Sequence, residues 1–150
     1  MTQNDQSAKK ATVLIVEDHM AMRKIIKTVL YSLGVRDVVE SANGIEALTI
    51  LDERNKQGAR TQILAGQQDE KKAVTLIISD WIMPKMNGYE LLQNIRNDTA
   101  LKDLPFVMLT AEDTKEQIIK ALELGISDYI VKPFKAAVLE SKLRAILGMR

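Results

Sequence analysis

The chain has 150 residues, and its 21 lysines and arginines nearly balance 20 aspartates and glutamates, so the formal net charge is +1. This length suits one domain, and the balanced charge argues against a dedicated nucleic-acid binder. The chain contains no cysteine, which excludes a disulfide scaffold, a zinc–thiolate site and a cysteine nucleophile. No apolar run approaches the ~20 residues of a membrane helix. We therefore expect a cytoplasmic protein with no membrane partner.

Residues 1–10 are polar and lack the apolar stretch of a secretory signal. They are predicted to be an N-terminal extension of a domain that spans residues 11–150. Within that domain, three short apolar runs are typical of parallel strands buried on both faces. These runs are residues 13–16, 76–78 and 106–109. Two more polar stretches, residues 36–40 and 127–131, complete a set of five predicted strands.

Each predicted strand is followed by a segment whose apolar residues repeat at the spacing of one helix face. The five helical patterns cover residues 22–33, 45–51, 91–95, 118–122 and 139–147. Five strand–helix units with right-handed crossovers give an α/β fold. The prediction is a flavodoxin-like (βα)5 doubly wound parallel sheet in the order 2-1-3-4-5, with the two more polar strands at its edges.

The connection between the second predicted helix and the third strand is unusually long. Residues 52–73 are polar and of mixed charge, whereas such connections usually take ~2–6 residues. We expect an insertion here, made of a solvated helix extension and a loop, on the rim opposite the carboxyl ends of the strands. Its apolar pair, Ile63 and Leu64, suggests docking on the second helix or contact with a partner. A tolerated surface loop and a partner-specific role both remain open.

Polar side chains follow the predicted strands at the edge where open parallel sheets bind their ligands. Glu17 and Asp18 follow the first strand, Asp80 the third, Thr110 the fourth and Lys132 the fifth. Taken singly, these residues have ordinary explanations, since the first acids and the threonine could cap helices and the lysine could be solvated. Their common position at one rim is the informative feature.

Clustered carboxylates repel one another unless a cation or a proton lies between them. Oxygen ligands without histidine or cysteine suit Mg²⁺, and a carboxylate beside that ion can be a nucleophile towards phosphorus. An ammonium and a hydroxyl group would then hold the phosphoryl oxygens. The sequence thus predicts a magnesium-assisted aspartyl-phosphate site at this rim.

Other α/β phosphate chemistries fit less well. A flavodoxin needs hydroxyl and amide donors after the first strand, where this chain has two acids. A P-loop needs a Gly-Lys pair, which is absent from the sequence. A haloacid-dehalogenase-type phosphatase has the pattern D-x-D, whereas Asp80 is followed by Trp81 and Ile82. A phosphatase of another kind that uses Asp80 stays open as an alternative.

These motifs resemble the receiver domains of bacterial two-component response regulators, and among them the single-domain chemotaxis regulators. The resemblance covers about residues 11–149 apart from the predicted insertion, and the motifs are highly specific in combination. It rests on Glu17 and Asp18 and on residues 79–88, 109–112 and 128–134.

The resemblance implies a role for each site residue. Asp80 is the implied phosphoacceptor, and Asp18, Asp80 and the backbone carbonyl of Ile82 are the implied Mg²⁺ ligands, with Glu17 acting through water. The implied phosphate-binding residues are Thr110 and Lys132, and the implied aromatic switch residue is Tyr129. The resemblance also implies a cis peptide bond between Lys132 and Pro133.

The resemblance further implies partners. The phosphodonor would be a histidine kinase of the chemotaxis type, a phosphatase is a further candidate partner, and the output would be flagellar rotation through the motor switch. That partner would dock on the fourth helix, fifth strand and fifth helix. The protein would be no enzyme, since it would only accept and slowly hydrolyse its own aspartyl phosphate. The alternative is a phosphorelay shuttle or phosphate sink.

Three neighbouring residues remain less defined. Ile82 stands where the chemotaxis regulators have a polar residue, and Glu17 stands where many relatives have aspartate, which is a milder change. Trp81 is interpreted equally well as a packing residue and as a functional aromatic residue. His19, the one histidine, is expected to be a surface residue near the site.

Overall fold

The computed structural model describes residues 6–57, 72–111 and 115–149. The strands are β1 (Thr12–Val16), β2 (Asp37–Ser41), β3 (Leu76–Asp80), β4 (Phe106–Thr110) and β5 (Asp128–Val131). The helices are α1 (Gln6–Lys10), α2 (Met20–Ser32), α3 (Gly44–Leu51), α4 (Gly88–Arg96), α5 (Lys115–Glu123) and α6 (Ala136–Ile146). Within these ranges, no helix has both the length and the apolar character needed to cross a membrane.

The five strands form one parallel sheet in the order β2-β1-β3-β4-β5, which confirms the predicted flavodoxin-like fold. The three central strands are buried along their whole length, whereas β2 and β5 are partly exposed at the edges. Asp80 pairs with Leu109, and Thr110 pairs with Val131. This register brings the carboxyl ends of the strands to a common rim.

The core has two layers, one on each face of the sheet. Leu14 and Ile77 point into the layer beneath α3, α4 and α5, whereas Val13 and Ile78 point into the layer beneath α2 and α6. Neighbouring strand residues alternate between the two layers because successive side chains leave a strand on opposite faces. Both faces are therefore covered, as a doubly wound sheet requires.

The end of the polar N-terminal segment takes part in the fold. Residues 6–10 form α1, and Ala8 is only 1% exposed because it packs into the layer beneath α2 and α6. Its Cβ lies 3.6 Å from the position that a Cβ on Gly34 would take. The sequence gives no helical pattern here, because one alanine among polar residues carries no periodic signal.

The long connection before β3 is tied down at its base. Asn55 lies in a π-helical continuation of α3 over Asp52–Gln57. Its side-chain oxygen accepts a hydrogen bond from the Val74 backbone N–H at 2.9 Å, and its amide nitrogen donates to the Val74 carbonyl at 3.0 Å. Arg54 donates to the Lys72 carbonyl at 3.0 Å and lies 3.5 Å from the Asp37 carboxylate of β2. We call these contacts the basal clamp.

The basal clamp involves residues near both ends of the predicted insertion. The expected helix extension is present, but its residues join the framework at the amino ends of β2 and β3. Asp80 is at the opposite end of β3. The clamp therefore lies away from the predicted site, and the extent of the insertion stays a prediction. Ile63 and Leu64 lie outside the described residues.

We expect that a short Gly/Ser turn can replace residues 58–71 without loss of folding, Mg²⁺ binding or phosphorylation by a small donor. The reason is that the clamp already fixes both ends, and loop closure costs change by only ~0.6 kcal/mol per doubling of length. Thermal unfolding and labelling rates would measure this. As a contrast, Asn55→Ala in the full chain removes both bonds to Val74 and should lower the free energy of unfolding by about 1–3 kcal/mol. A folded replacement variant with strongly reduced labelling would contradict the prediction.

Candidate functional site

The predicted site residues lie together at the carboxyl ends of four strands. Glu17 follows β1 and is fully buried, while Asp80 and Thr110, the last residues of β3 and β4, are 5% and 2% exposed. Lys132 follows β5. Because these strands are parallel neighbours, residues far apart in the chain reach the same pocket.

Lys132 connects the two buried carboxylates. Its ammonium nitrogen lies 2.8 Å from Glu17 Oε1 and 2.9 Å from Asp80 Oδ2. Its backbone N–H donates to the Thr110 carbonyl at 2.7 Å, and the peptide bond to Pro133 is cis, as the resemblance implies. A solvated surface lysine is therefore the wrong interpretation of this residue.

The three charged groups shift one another's pKa values. Burial would lower the pKa of Lys132, but its hydrogen bonds with Glu17 and Asp80 raise it above its ordinary value. Burial would raise the pKa of Glu17, yet hydrogen bonds from Lys132 and the His19 backbone bring it below the ordinary value. Burial raises the pKa of Asp80, and Lys132 only partly offsets this. The single ammonium group of Lys132 thus forms hydrogen bonds with both buried carboxyl groups.

Asp80 is also held through its neighbour in sequence. The Trp81 backbone N–H donates to Asp80 Oδ1 at 2.8 Å. The Trp81 ring is 5% exposed and makes an edge contact with Tyr89, with ring centroids 5.7 Å apart and an interplanar angle of 65°. Of the two interpretations of Trp81, the structure supports the packing residue.

Gly88 approaches the same backbone very closely. Its N–H donates to the Trp81 carbonyl at 2.7 Å, and a Cβ built on Gly88 would lie 2.6 Å from the Asp80 carbonyl oxygen. The sequence reasoning missed this role. An Asn-Gly pair before a helix signals a turn or a cap but gives no sign of what the glycine faces.

Asp18 and His19 line the open side of the pocket. The side chain of Asp18 is 31% exposed, and that of His19 is 74% exposed. Even so, His19 Nδ1 lies 3.1 Å from Glu17 Oε2 and 3.2 Å from Asp18 Oδ1. His19 is indeed a surface residue, but the sequence did not predict that its ring nitrogen faces the acids.

The donor chemistry fits a divalent cation. The ligand atoms of Glu17, Asp18 and His19 lie within 4.8 Å of one another, and Asp80 joins Glu17 through Lys132. Carboxylate oxygens are the ligands that Mg²⁺ prefers. The pocket also holds more negative charge than Lys132 can neutralise, and this favours an added cation.

The remaining predicted roles rest on position. Thr110 ends β4 beside Lys132, and the Ile82 side chain is 66% exposed two residues after Asp80. Tyr129 is half-buried on the edge strand β5, and the Lys142 ammonium lies 5.2 Å from its ring centroid. The phosphate, carbonyl-ligand and switch roles of these residues stay predictions.

The chain matches the response regulator receiver domain family over residues 13–144. It is 40% identical over 136 residues to the chemotaxis protein CheY1 of Helicobacter pylori, covering 91% of this chain and 96% of that protein. It is 41% identical over 138 residues to CheY-3 of Vibrio cholerae, covering 92% of each.

Solved structures agree with this match. The receiver domain of a Pseudomonas aeruginosa sensor histidine kinase, solved with a magnesium ion coordinated in its active site cleft, has a TM-score of 0.70 and 28% identity, covering 92% of this chain and 98% of that chain. The chemotaxis response regulator CheY4 of Vibrio cholerae has a TM-score of 0.68 at 28% identity, covering 91% and 98%. From its sequence, its sheet and its acidic rim alike, we conclude that the chain belongs to the response regulator receiver domain family.

Proposed function

We propose that this protein is a cytoplasmic response regulator of chemotaxis whose Asp80 takes a phosphoryl group from a histidine kinase in a Mg²⁺-dependent reaction. The observation that carries the proposal is the Lys132 ammonium held between Glu17 and Asp80, at 2.8 and 2.9 Å. A buried carboxylate, a second acid and a lysine on one rim form a phosphoacceptor pocket. Relatives about 40% identical that are named chemotaxis proteins support the biological setting.

The residues that would hold Mg²⁺ are Asp18, Asp80 and the Ile82 carbonyl, with Glu17 acting through water. When bound, the ion offsets the negative charge of the phosphoryl oxygens and of the acids around them. Asp18 is the most accessible of the three acids, with a side chain 31% exposed against 8% for Asp80. Asp18 therefore lies at the open side of the pocket, where an incoming ion can reach its carboxylate.

In the phosphotransfer, a carboxylate oxygen of Asp80 attacks the phosphorus of the kinase's phosphohistidine. A P–O bond forms, the P–N bond breaks, and the electron pair of that bond stays on the imidazole nitrogen. The ammonium of Lys132 and the hydroxyl of Thr110 then bind phosphoryl oxygens. Both residues end or follow a strand, so the framework fixes them before the donor arrives.

Phosphorylation of Asp80 would change the position of Lys132 and, through it, the contacts of β5. A phosphoryl group adds roughly −1.5 to −2 charge, by analogy with phosphorylated hydroxyl residues, and so competes for the Lys132 ammonium. Tyr129 lies three residues before Lys132, and Lys142 of α6 donates to the Tyr129 carbonyl at 2.8 Å. A shift at Lys132 therefore passes to the strand–helix contact between β5 and α6.

The surface next to this contact suits a protein partner. It belongs to α5, β5 and α6, the structural counterparts of the predicted fourth helix, fifth strand and fifth helix. Large apolar side chains are exposed along it, namely Ile119, Leu122, Val131 and Val138. Apolar side chains grouped at the surface mark docking sites. We assign this face to the flagellar motor switch protein.

Binding to that protein tests the proposal. With Mg²⁺ and beryllium fluoride, a phosphoryl mimic, we expect the affinity of the wild type for the motor switch protein to rise about 5- to 150-fold. Lys132→Ala should keep the basal affinity and lose the rise, because the lysine is the cation that senses the phosphoryl group. Isothermal titration calorimetry would measure both.

The matched control is Lys102→Ala, which removes an exposed lysine from the opposite rim. It should behave like the wild type. An equal rise in Lys132→Ala would refute the reporting role of this residue. A labelled wild type with no rise in affinity would favour the phosphorelay or phosphate-sink alternative.

A further inference from the structure

His19 turns its ring toward the acids although most of the ring is in solvent. We propose that His19 is a metal ligand that gives this site a preference for imidazole-binding divalent ions, with Zn²⁺ as the representative ion, over Mg²⁺. The inference rests on the metal site of the proposed function. It assigns a selectivity residue to that site.

The spacing of the ligand atoms supports this role. His19 Nδ1 lies 3.1 Å from Glu17 Oε2 and 3.2 Å from Asp18 Oδ1. Adjacent ligands around an octahedral ion with bonds of about 2.1 Å are separated by about 3.0 Å. His19 Nδ1 is thus already spaced from the Asp18 oxygen, a direct ligand of the proposed site, as a neighbouring ligand of one ion would be.

The ring has no competing structural task within the part of the chain that the structure describes. His19 is the N-cap residue of α2, but its side chain makes no capping hydrogen bond. The helix is instead preceded by a turn in which the His19 backbone N–H donates to Glu17 Oε2 at 3.1 Å. Both polar contacts of the ring are with carboxylates.

A simple change of tautomer makes the nitrogen available. Facing carboxylate oxygens, which only accept, Nδ1 carries the proton and donates. Binding an ion requires the Nδ1 lone pair, so the proton must move to Nε2. The side chain is 74% exposed, so Nε2–H can be hydrated at little cost.

The added nitrogen changes which ions the pocket prefers. Carboxylate and carbonyl oxygens suit Mg²⁺, whereas imidazole suits Zn²⁺ and related transition ions. A site with oxygen ligands alone gains little from a histidine when it binds Mg²⁺. The same histidine strengthens the binding of Zn²⁺ directly, through a nitrogen–metal bond of about 2.0–2.1 Å.

Metal binding to the unphosphorylated protein tests the proposal. Calorimetric titrations with Zn²⁺ and with Mg²⁺ would compare the wild type, His19→Gln and His19→Ala. We expect both variants to lose at least about tenfold in Zn²⁺ affinity and to keep Mg²⁺ affinity within about threefold, since Mg²⁺ retains its oxygen ligands. Met20→Ala is the matched control, because Met20 is the next residue and is also 74% exposed.

A second readout uses the fact that His19 is the one histidine of the chain. Zn²⁺ is diamagnetic, so the ring ¹⁵N resonances stay visible, and only Nδ1 should shift strongly when Zn²⁺ is added. An unshifted ring, or Zn²⁺ and Mg²⁺ affinities that fall equally, would overturn the proposal. If Mg²⁺ binds and Asp80 is labelled, but the His19 variants bind Zn²⁺ as tightly as the wild type does, only this inference fails. If the wild type binds neither ion, the metal site of the proposed function fails with it.

Discussion

In Asp80→Asn, labelling by a small phosphodonor should disappear. The amide oxygen is a far weaker nucleophile than the carboxylate, and no second buried aspartate lies in the described part of the pocket. Intact-mass spectrometry would measure the phosphoryl group, and fluorescence would follow the response in solution. Trp81 is the only tryptophan, and its backbone N–H is bonded to Asp80 Oδ1. Uptake of one phosphoryl group by the variant would show that another residue is the acceptor.

The same substitution should raise the thermal midpoint, Tm, at pH 7 in metal-free buffer. Burial, with the charge of Glu17, raises the pKa of Asp80 in the folded state. A carboxyl group of this kind contributes stability below its unfolded pKa and loses that contribution as the pH rises through the folded pKa. Once the pH is above that folded pKa, the ionised Asp80 costs stability, and a neutral amide removes that cost. Asp103→Asn, at an exposed position, is the control and should leave Tm nearly unchanged.

Gly88→Ala should destabilise the fold by about 1–3 kcal/mol, the usual range for overpacking, and slow the labelling of Asp80. The new methyl group would lie 2.6 Å from the Asp80 carbonyl oxygen and 2.9 Å from Trp81 Cα. Both neighbours are backbone atoms of the site, so relief of the clash must move Asp80 itself. Chemical denaturation would measure the stability, and small-donor kinetics would measure the site.

Gly44→Ala is the matched control for this effect. Gly44 and Gly88 are each the first residue of a helix and each follow an asparagine N-cap. The three atoms nearest to a methyl group at Gly44 would all belong to the Met86 side chain, at 2.9–3.0 Å, which is flexible and can move aside. Gly44→Ala should therefore cost clearly less and leave labelling intact. Equal losses in the two variants would mean that the close approach to Asp80 is not the cause.

The sheet order and the place of the site were predictable because both depend on repeated patterns. Short apolar runs predict buried parallel strands, and the two more polar strands, β2 and β5, are indeed at the edges. Once the order is known, the residue that follows each strand must reach the same rim. The meeting of Glu17, Asp80 and Lys132 follows from this rule alone.

Other parts of the fold and of the site depend on single close contacts that no sequence pattern predicts. The sequence does not predict that Asn55 is hydrogen-bonded to Val74, which lies 19 residues later in the chain. His19 reaches the acids because the chain turns sharply after β1, and Gly88 matters because of the backbone that it faces. Each is a contact of one side chain, or of one missing methyl group, with atoms that the whole fold brings near. Such contacts have no periodicity to detect.

The basal clamp makes the stretch between Gln57 and Lys72 a natural place to graft foreign sequence. The paired bonds between Asn55 and Val74 fix the chain on both sides of it. A peptide grafted there would therefore lengthen a connection whose two ends are already held, and such lengthening costs little free energy. A small fluorescent or affinity domain whose own termini lie close together can be inserted there. Because the clamp is on the rim opposite Asp80, such a fusion would mark the protein in living cells while leaving both termini free.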